Sequence, residues 1–328
     1  MNTKFVSVIM PTYKTPENYL KQAIDSILKQ TYNNYELIII DDGSEDNTLQ
    51  IIEKYKDKRI KLYQNKKNMG LPFTLNSAIE KSNGTYIFRM DSDDISLPNR
   101  LEYMVNFMEN NKYIDIAGSY FKEFGIRNRI IRLETTNDRI RALMLYQSPM
   151  CHPSVVFRRS SLIQYDVKYS YENTAEDYNL WIRCSLNPHI VFGNLNKVLL
   201  KYRTHDKQIT IKDKKKLEDN FMKNHQIFLD YLHIKILDEF KDIYMHFCLR
   251  TGVLETNDFY KINQLLEDIL YANQKVGLFN DQVLKNILSD KYRKEYLVRK
   301  YLYRQNCTSA YKNFTLKKYT SFLPFKIF

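Results

Sequence analysis

Long apolar runs are missing from this chain of 328 residues. The longest, residues 6–10 and 37–40, fall far short of the roughly 18 that a membrane-spanning helix needs, so no bilayer crossing is expected. The opening Met-Asn-Thr-Lys runs straight into a strand-like segment, residues 5–10. It has neither the apolar core nor the small-residue cleavage site of a signal peptide, and a cytoplasmic location is expected. Cysteine is scarce: Cys151, Cys184, Cys248 and Cys307 are scattered without paired metal-ligand spacing. That argues against a zinc site and against a disulfide framework, and leaves reduced thiols. Internal repeats and low-complexity linkers are missing too. Glycine nearly vanishes after about Lys212, where the pattern turns helical, with Leu217, Phe221, His225 and Phe228 at helical spacing. A boundary is expected there, between a domain of residues 1–212 and a helical, basic region of residues 213–328.

Charge of one sign is plentiful and badly distributed. The net charge is +12, and residues 291–328 carry ten Lys or Arg against the single acid Glu295. A basic protein invites a nucleic-acid reading, but a cluster at one end beside Tyr, Leu and Phe also suits an anionic membrane surface. The plainer alternative is a solvated helical face.

The first hundred residues alternate short β-branched runs with helical patterns at the spacing of βαβ units, which implies a parallel sheet. Strands are expected at 5–10, 36–41, 60–63 and 86–91, with helices at 17–30, 47–56, 71–81 and 98–110. The first helix puts Leu20, Ala23, Ile24, Ile27 and Leu28 on one face. Two strands around Gly125, a helix at 137–146, a strand at 154–157, a helix at 175–186 and strands near 190–192 and 198–202 complete the domain. In a sheet wound this way, the loops at the carboxyl ends of the strands converge on a ligand crevice. The polar clusters sit at those ends: Pro11-Thr12-Tyr13, Asp41-Asp42-Gly43-Ser44 and Asp91-Ser92-Asp93-Asp94.

Several carboxylates at the end of a buried strand repel one another unless a hard cation neutralises them. Mg²⁺ or Mn²⁺ is the natural candidate, and such an ion offsets the charge that builds on a departing diphosphate. The alternative is a helix cap before Pro98. Asp41-Asp42-Gly43-Ser44 alone is ordinary turn chemistry. It gains meaning one strand from the Asp91 cluster, where a carboxylate can accept a base N–H. Glu176-Asp177 opens a helix, where acids are also expected from the helix dipole alone.

As an ordered set, Val8-Ile9-Met10-Pro11-Thr12-Tyr13, Asp41-Asp42-Gly43-Ser44, Asn68-Met69-Gly70, Arg89-Met90-Asp91-Ser92-Asp93-Asp94, Cys151-His152-Pro153-Ser154, Glu176-Asp177 and Tyr202-Arg203-Thr204-His205 resemble the family 2 glycosyltransferases of the GT-A fold. The resemblance spans residues 4–210 and implies an α/β, Rossmann-like, mostly parallel central sheet flanked by helices, with a helical C-terminal extension. It implies that Asp42 takes uracil, that Pro11, Thr12 and Tyr13 line the same pocket, and that Asp91 faces the ribose. Asp93 binds the metal in that pattern, with Asp94 directly after it as the competing ligand. His205 reaches the metal or diphosphate, and Arg203 is a phosphate partner. Asp177 is the general base and Glu176 lies under the acceptor. Trp181 either offers a sugar an aromatic face or belongs to the core, and His152 is structural or on the acceptor side. His189, His225, His233 and His246 carry no partner motif.

The expectation is therefore an inverting, Mn²⁺- or Mg²⁺-dependent transferase. It would move Gal, Glc, GalNAc or GlcNAc from a UDP-sugar to a saccharide hydroxyl in capsule, lipopolysaccharide or exopolysaccharide synthesis. The acceptor is expected to be lipid-linked, with the basic tail on the inner face of the membrane at about 1 kcal/mol per basic residue before discounting. The helical third could equally carry a homodimer interface. A nucleic-acid module would need basic residues across the sheet face, where this chain has acids at strand ends. A non-catalytic sugar-binding subunit would not need Asp42, Asp91, Asp93 and Asp177 together. A nucleotidyltransferase would open with a Gly-rich phosphate loop, which Pro11-Thr12-Tyr13-Lys14-Thr15 lacks.

Overall fold

The computed structural model describes residues 3–171, 175–205, 214–250 and 254–306. The chain divides into two compact units, Met1–Ile140 with Ser148–Lys214, and Arg141–Gln147 with Lys215–Phe328.

The first unit is built on a nine-stranded sheet. Its core strands β1 (Val6–Thr12) and β2 (Tyr35–Asp41) are buried at every position. This is why they read as continuous apolar runs rather than alternating ones: helices cover both faces. They join β3 (Ile60–Gln64), β4 (Tyr86–Arg89), β5 (Ile95–Ser96), β6 (Ile116–Gly125), β7 (Ile130–Ile131), β8 (Val156–Arg158) and β9 (Phe192–Thr204). The order is β3-β2-β1-β4-β8-β6-β9-β5, with β7 paired to β6. β1 pairs in parallel with β2 and β4, β2 with β3, and β6 with β9. Because β8 is antiparallel to both β4 and β6, six strands share one direction, and only β5, β7 and β8 oppose them.

Helices α1 (Glu17–Leu28), α2 (Thr48–Glu53), α3 (Leu71–Lys81) and α4 (Arg100–Asn110) make the crossovers. α1 buries Leu20, Ala23, Ile24 and Ile27 against the sheet, the face its spacing predicts. α3 starts where Gly70 turns the chain at φ +88° and Pro72 fixes the first turn. α5 (Asn137–Leu143), α6 (Arg159–Gln164) and α7 (Glu176–Leu186) follow. β5 and α6 are too short to leave a pattern in the sequence. The two strands expected near 190–192 and 198–202 are one, β9, whose pairing with β6 slips around Ser119, Tyr120 and Phe121. Asn194, Asn196 and Lys197 break the apolar run there without breaking the strand.

The second unit is helical: α8 (Lys214–Tyr231), α9 (Asp238–Leu249), α10 (Thr256–Val276) and α11 (Asp281–Asn306). Phe221, His225 and Phe228 are buried on α8, and the His225 ring bonds the Tyr244 hydroxyl at 2.7 Å. Lys291 is not a solvated member of the basic tail: it is buried, 3.0 Å from Glu295, which Arg250 also engages. Residues 307–328 of that tail, and Cys307, lie outside the described residues. Cys151, Cys184 and Cys248 are buried free thiols. Among the described residues, no helix is long and apolar enough to cross a membrane.

Candidate active site

The parallel strands β1, β2 and β4 end side by side, and short side-chain bonds tie their loops together. Thr12 Oγ1 bonds Thr15 Oγ1 at 3.0 Å, and Thr15 bonds Ser92 Oγ at 2.7 Å. Lys14, at φ +47°, donates its N–H to Ser44 Oγ at 2.9 Å. Pro11 and Thr12 are buried while Tyr13 stays 42% exposed, so its ring is on offer.

Asp42 anchors its own surroundings. Its carboxylate accepts Asn65 Nδ2 at 2.7 Å and the N–H groups of Met69 and Gly70 at 2.9 Å each. Gly43 makes this possible: at φ +72°, a Cβ there would lie 2.4 Å from the carbonyl carbon of Lys67. The sequence thus places an acid where a base could meet it, and the structure adds that the acid first holds the loop of residues 65–70.

Asp91, Asp93 and Asp94 put carboxylate oxygens within 4.8 Å of one another. Burial, followed by the charge of Asp91, raises the Asp93 carboxyl, and burial with Asp91 and Asp93 pushes Asp94 well above the usual carboxylate range. Asp94 accepts the Arg203 N–H at 2.8 Å with Oδ1, while its buried Oδ2 has no hydrogen-bond partner. A buried oxygen left unpaired among repelling carboxylates is the donor set a hard divalent cation satisfies. Both Asp93 and Asp94 suit it, with His205 Nε2 3.3 Å from Asp93 Oδ2.

Arg203 packs against aromatic rings beside the acidic loop. Its guanidinium lies over the rings of Tyr19 and Phe124, 4.0 and 4.4 Å from their centroids, and donates to the Asp93 carbonyl and to Gln22. These contacts and its backbone bond to Asp94 brace the acidic loop.

Glu176 and Asp177 form the first turn of α7. Burial, then the neighbouring Asp177 charge, lifts Glu176 to about 7, and burial raises Asp177. Asp177 Oδ1 accepts the Tyr178 N–H at 2.7 Å. His152 lies in the short turn His152–Ser154, 7% exposed, with Nε2 2.8 Å from the Tyr169 hydroxyl and Nδ1 4.0 Å from Glu176. Trp181 is fully buried, stacked on Phe157 and edge-on to His152. It has no face to give a sugar and belongs to the core.

Reading the sequence alone misses Arg89, Arg100 and Tyr169. Arg89 ends β4, is 2% exposed, and pairs with Asp91 at 2.5 Å. Burial works against its charge, but Asp91, with Tyr169 and Glu176, more than offsets that and keeps it protonated. The charge of this guanidinium reaches both acidic sets, through contact with Asp91 and at longer range with Glu176. Arg100 donates to the Arg89 carbonyl at 2.7 Å and fixes the strand end. A signal for Arg89 existed: a lone cation interrupts the apolar run Tyr86-Ile87-Phe88-Arg89-Met90.

Three comparisons bear on this geometry. The family model described as Glycosyl transferase family 2 matches residues 7–166. An uncharacterized glycosyltransferase of Haemophilus influenzae is 32% identical over 287 residues, 82% of this chain and 85% of the relative. The O-antigen biosynthesis glycosyltransferase WbnJ of Escherichia coli is 34% identical over 218 residues, 62% of this chain and 80% of the relative. Among solved structures, TarS 1–349 of S. aureus in complex with UDP-GlcNAc superposes with a TM-score of 0.61 at 22% identity, covering 92% of each chain. That last likeness is one of fold.

Proposed function

The chain belongs to glycosyl transferase family 2, an enzyme of the GT-A fold, and from that premise we propose that it moves a sugar from a UDP-sugar to a saccharide hydroxyl with inversion. The observation that carries the reading is the separation of two carboxylate sets, Asp91-Asp93-Asp94 at the end of β4 and Glu176-Asp177 at the start of α7. One set suits a cation and a diphosphate, the other suits a proton. The O-antigen relative supports polysaccharide biosynthesis as the setting.

Asp93 and Asp94, with Asp91 and His205 beside them, would hold Mn²⁺ or Mg²⁺. When bound, such an ion supplies Lewis-acid neutralisation of the diphosphate's negative charge. Tyr13 and Asp42 receive the uracil, with Pro11 and Thr12 behind them, and Asp91 faces the ribose. The acceptor hydroxyl attacks the anomeric carbon as the bond to the diphosphate oxygen breaks. Its proton passes to Asp177, whose raised pKa makes it a stronger base than an ordinary aspartate. The Tyr178 N–H, bonded to Oδ1 at 2.7 Å, holds the carboxylate at the start of α7. One base without a covalent carboxylate partner gives a single displacement, hence inversion. The basic residues of 293–328 support a lipid-linked acceptor met at the inner, anionic face of a membrane.

Calorimetric titration with UDP, with and without Mn²⁺, tests the reading on wild type, Asp93→Ala and Asp94→Asn. Metal-dependent binding in wild type that either variant abolishes supports it. Binding of GDP or dTDP in place of UDP would replace the donor class, and binding of no nucleotide under any condition would overturn the catalytic reading.

A further inference from the structure

Two buried polar groups behind the carboxylate pair have no part in the chemistry above, yet their arrangement is specific. Tyr169 is 2% exposed and belongs to no helix or strand. Asn76 on α3 pins its backbone from both sides: Asn76 Nδ2 donates to the Tyr169 carbonyl and the Tyr169 N–H donates to Asn76 Oδ1, each at 2.9 Å. This delivers the phenol oxygen to 2.8 Å from His152 Nε2. The imidazole is itself clamped, with Trp181 edge-on at 5.9 Å between centroids and an interplanar angle of 81°. Its other nitrogen, Nδ1, faces Glu176 at 4.0 Å.

The proton count fixes the direction of this chain. A buried phenol has one hydrogen to place, and leaving it unpaired costs about 1–3 kcal/mol. His152 is the hydrogen-bond partner of this hydroxyl among the described residues. Burial, with the positive Arg89 nearby, keeps the imidazole neutral, so it carries a single ring proton. If the phenol donates to Nε2, that proton sits on Nδ1, the nitrogen 4.0 Å from Glu176 Oε1, a contact longer than a hydrogen bond and electrostatic in kind. We propose that Tyr169 is a positioning residue for the transferase site: acting through His152, it directs the Nδ1 N–H at Glu176 and so orients the first turn of α7, on which Asp177 stands.

The inference rests on the assignment of Asp177 as the base, but its geometry can be tested apart from that assignment. Neither Tyr169 nor His152 touches substrate in this scheme. Loss of the hydroxyl should therefore leave nucleotide binding alone and slow the chemical step, because displacement of a catalytic group by a fraction of an ångström to an ångström lowers kcat strongly. It should also free His152 to change tautomer.

The experiment combines imidazole ¹⁵N NMR with kinetics on the full chain. In wild type the His152 resonances should report a bare Nε2 and a protonated Nδ1, and Glu176→Gln should shift the Nδ1 signal. In Tyr169→Phe, which removes one oxygen and keeps the ring, the proton should move wholly or partly to Nε2. A protonated Nε2 in wild type, or an Nδ1 signal indifferent to Glu176→Gln, overturns the proposal whatever the enzyme's substrate. Activity is read as nucleoside diphosphate released from a panel of UDP-, GDP- and dTDP-sugars. For any donor that wild type turns over, Tyr169→Phe should lower kcat by about 10- to 100-fold with KM for the donor held within about twofold. His152→Asn, whose amide nitrogen can stand in for Nδ1, should retain more activity than His152→Gln. Equal losses in both, or a rise in KM with kcat unchanged, also overturn the proposal. If wild type turns over no donor, the reading of function fails, and the NMR outcomes still decide the link from Tyr169 to Glu176.

Discussion

Glu176 offers a quantitative test of how much stability the site gives up. Its carboxyl rises from an ordinary 4.5 to about 7, first because it is buried and second because Asp177 adjoins it. A carboxyl whose pKa is higher in the folded state contributes stability that is fully present below pH 4.5 and is lost as pH climbs through about 7. That displacement is worth about 3 kcal/mol, an upper figure because the two acids titrate together. Glu176→Gln keeps the shape and removes the charge, so it should match wild type near pH 4.5 and exceed it by about 2–3 kcal/mol at pH 8. At about 2–4 °C per kcal/mol, this is a melting-temperature gain of roughly 4–12 °C at alkaline pH only. Thermal melts of both proteins in metal-free buffer from pH 4.5 to 8.5 read it directly. A difference that stays flat across the range, or a variant less stable at pH 8, would show that Glu176 is not held in a charge-averse site.

The other predictions follow from local geometry. Gly43→Ala forces a side chain into a left-handed turn and against the Lys67 backbone; urea denaturation should show a loss of about 2–4 kcal/mol, with weakened UDP binding as the loop held by Asp42 shifts. Asp94→Asn relieves repulsion among Asp91, Asp93 and Asp94, so its metal-free melting temperature should rise, while the stabilisation that Mn²⁺ gives wild type should disappear in calorimetric scans. In the helical unit, Glu295→Gln strands the buried Lys291 and should cost about 3–5 kcal/mol by denaturant titration, whereas the double change with Lys291→Met should recover much of it.

What could be read from the sequence was whatever is encoded by near neighbours. α3 runs over residues 71–81 as expected because Gly70 and Pro72 punctuate its start and Ser82 its end. β1 and β2 were legible because burial on both faces demands unbroken apolar runs. The acid clusters were legible because acids directly after such strands have no packing reason to be there. Trp181 was not, since a helix reveals its apolar face but not whether a ligand or a neighbouring ring covers it, and here Phe157 and His152 do. Lys291 was not legible for a related reason. Lys291 and Glu295 stand four apart, a spacing as common on solvated helices as in buried pairs, and only packing against Phe247 and Tyr146 distinguishes them.

Tyr169 marks the limit of local reasoning, because nothing in Val167-Lys168-Tyr169-Ser170-Tyr171 sets the middle tyrosine apart from Tyr171, which is 67% exposed. Asn76, ninety-three positions earlier, selects it by supplying the two backbone bonds that an irregular segment lacks. The same holds for Arg89, which pairs with Asp91 two positions on and whose charge is felt by Glu176 far along the chain. A site that gathers five acids around one buried cation is electrostatically costly, and the cost is tolerable only where rigid strands, braced by Arg100 and Arg203, prevent the acids from moving apart. Burial is what raises Asp93, Asp94, Glu176 and Asp177 together, and the neighbouring acids held in place by the scaffold add to it. The raised carboxyls after β4 and those at the start of α7 therefore share one cause, removal from water at the ends of rigid elements.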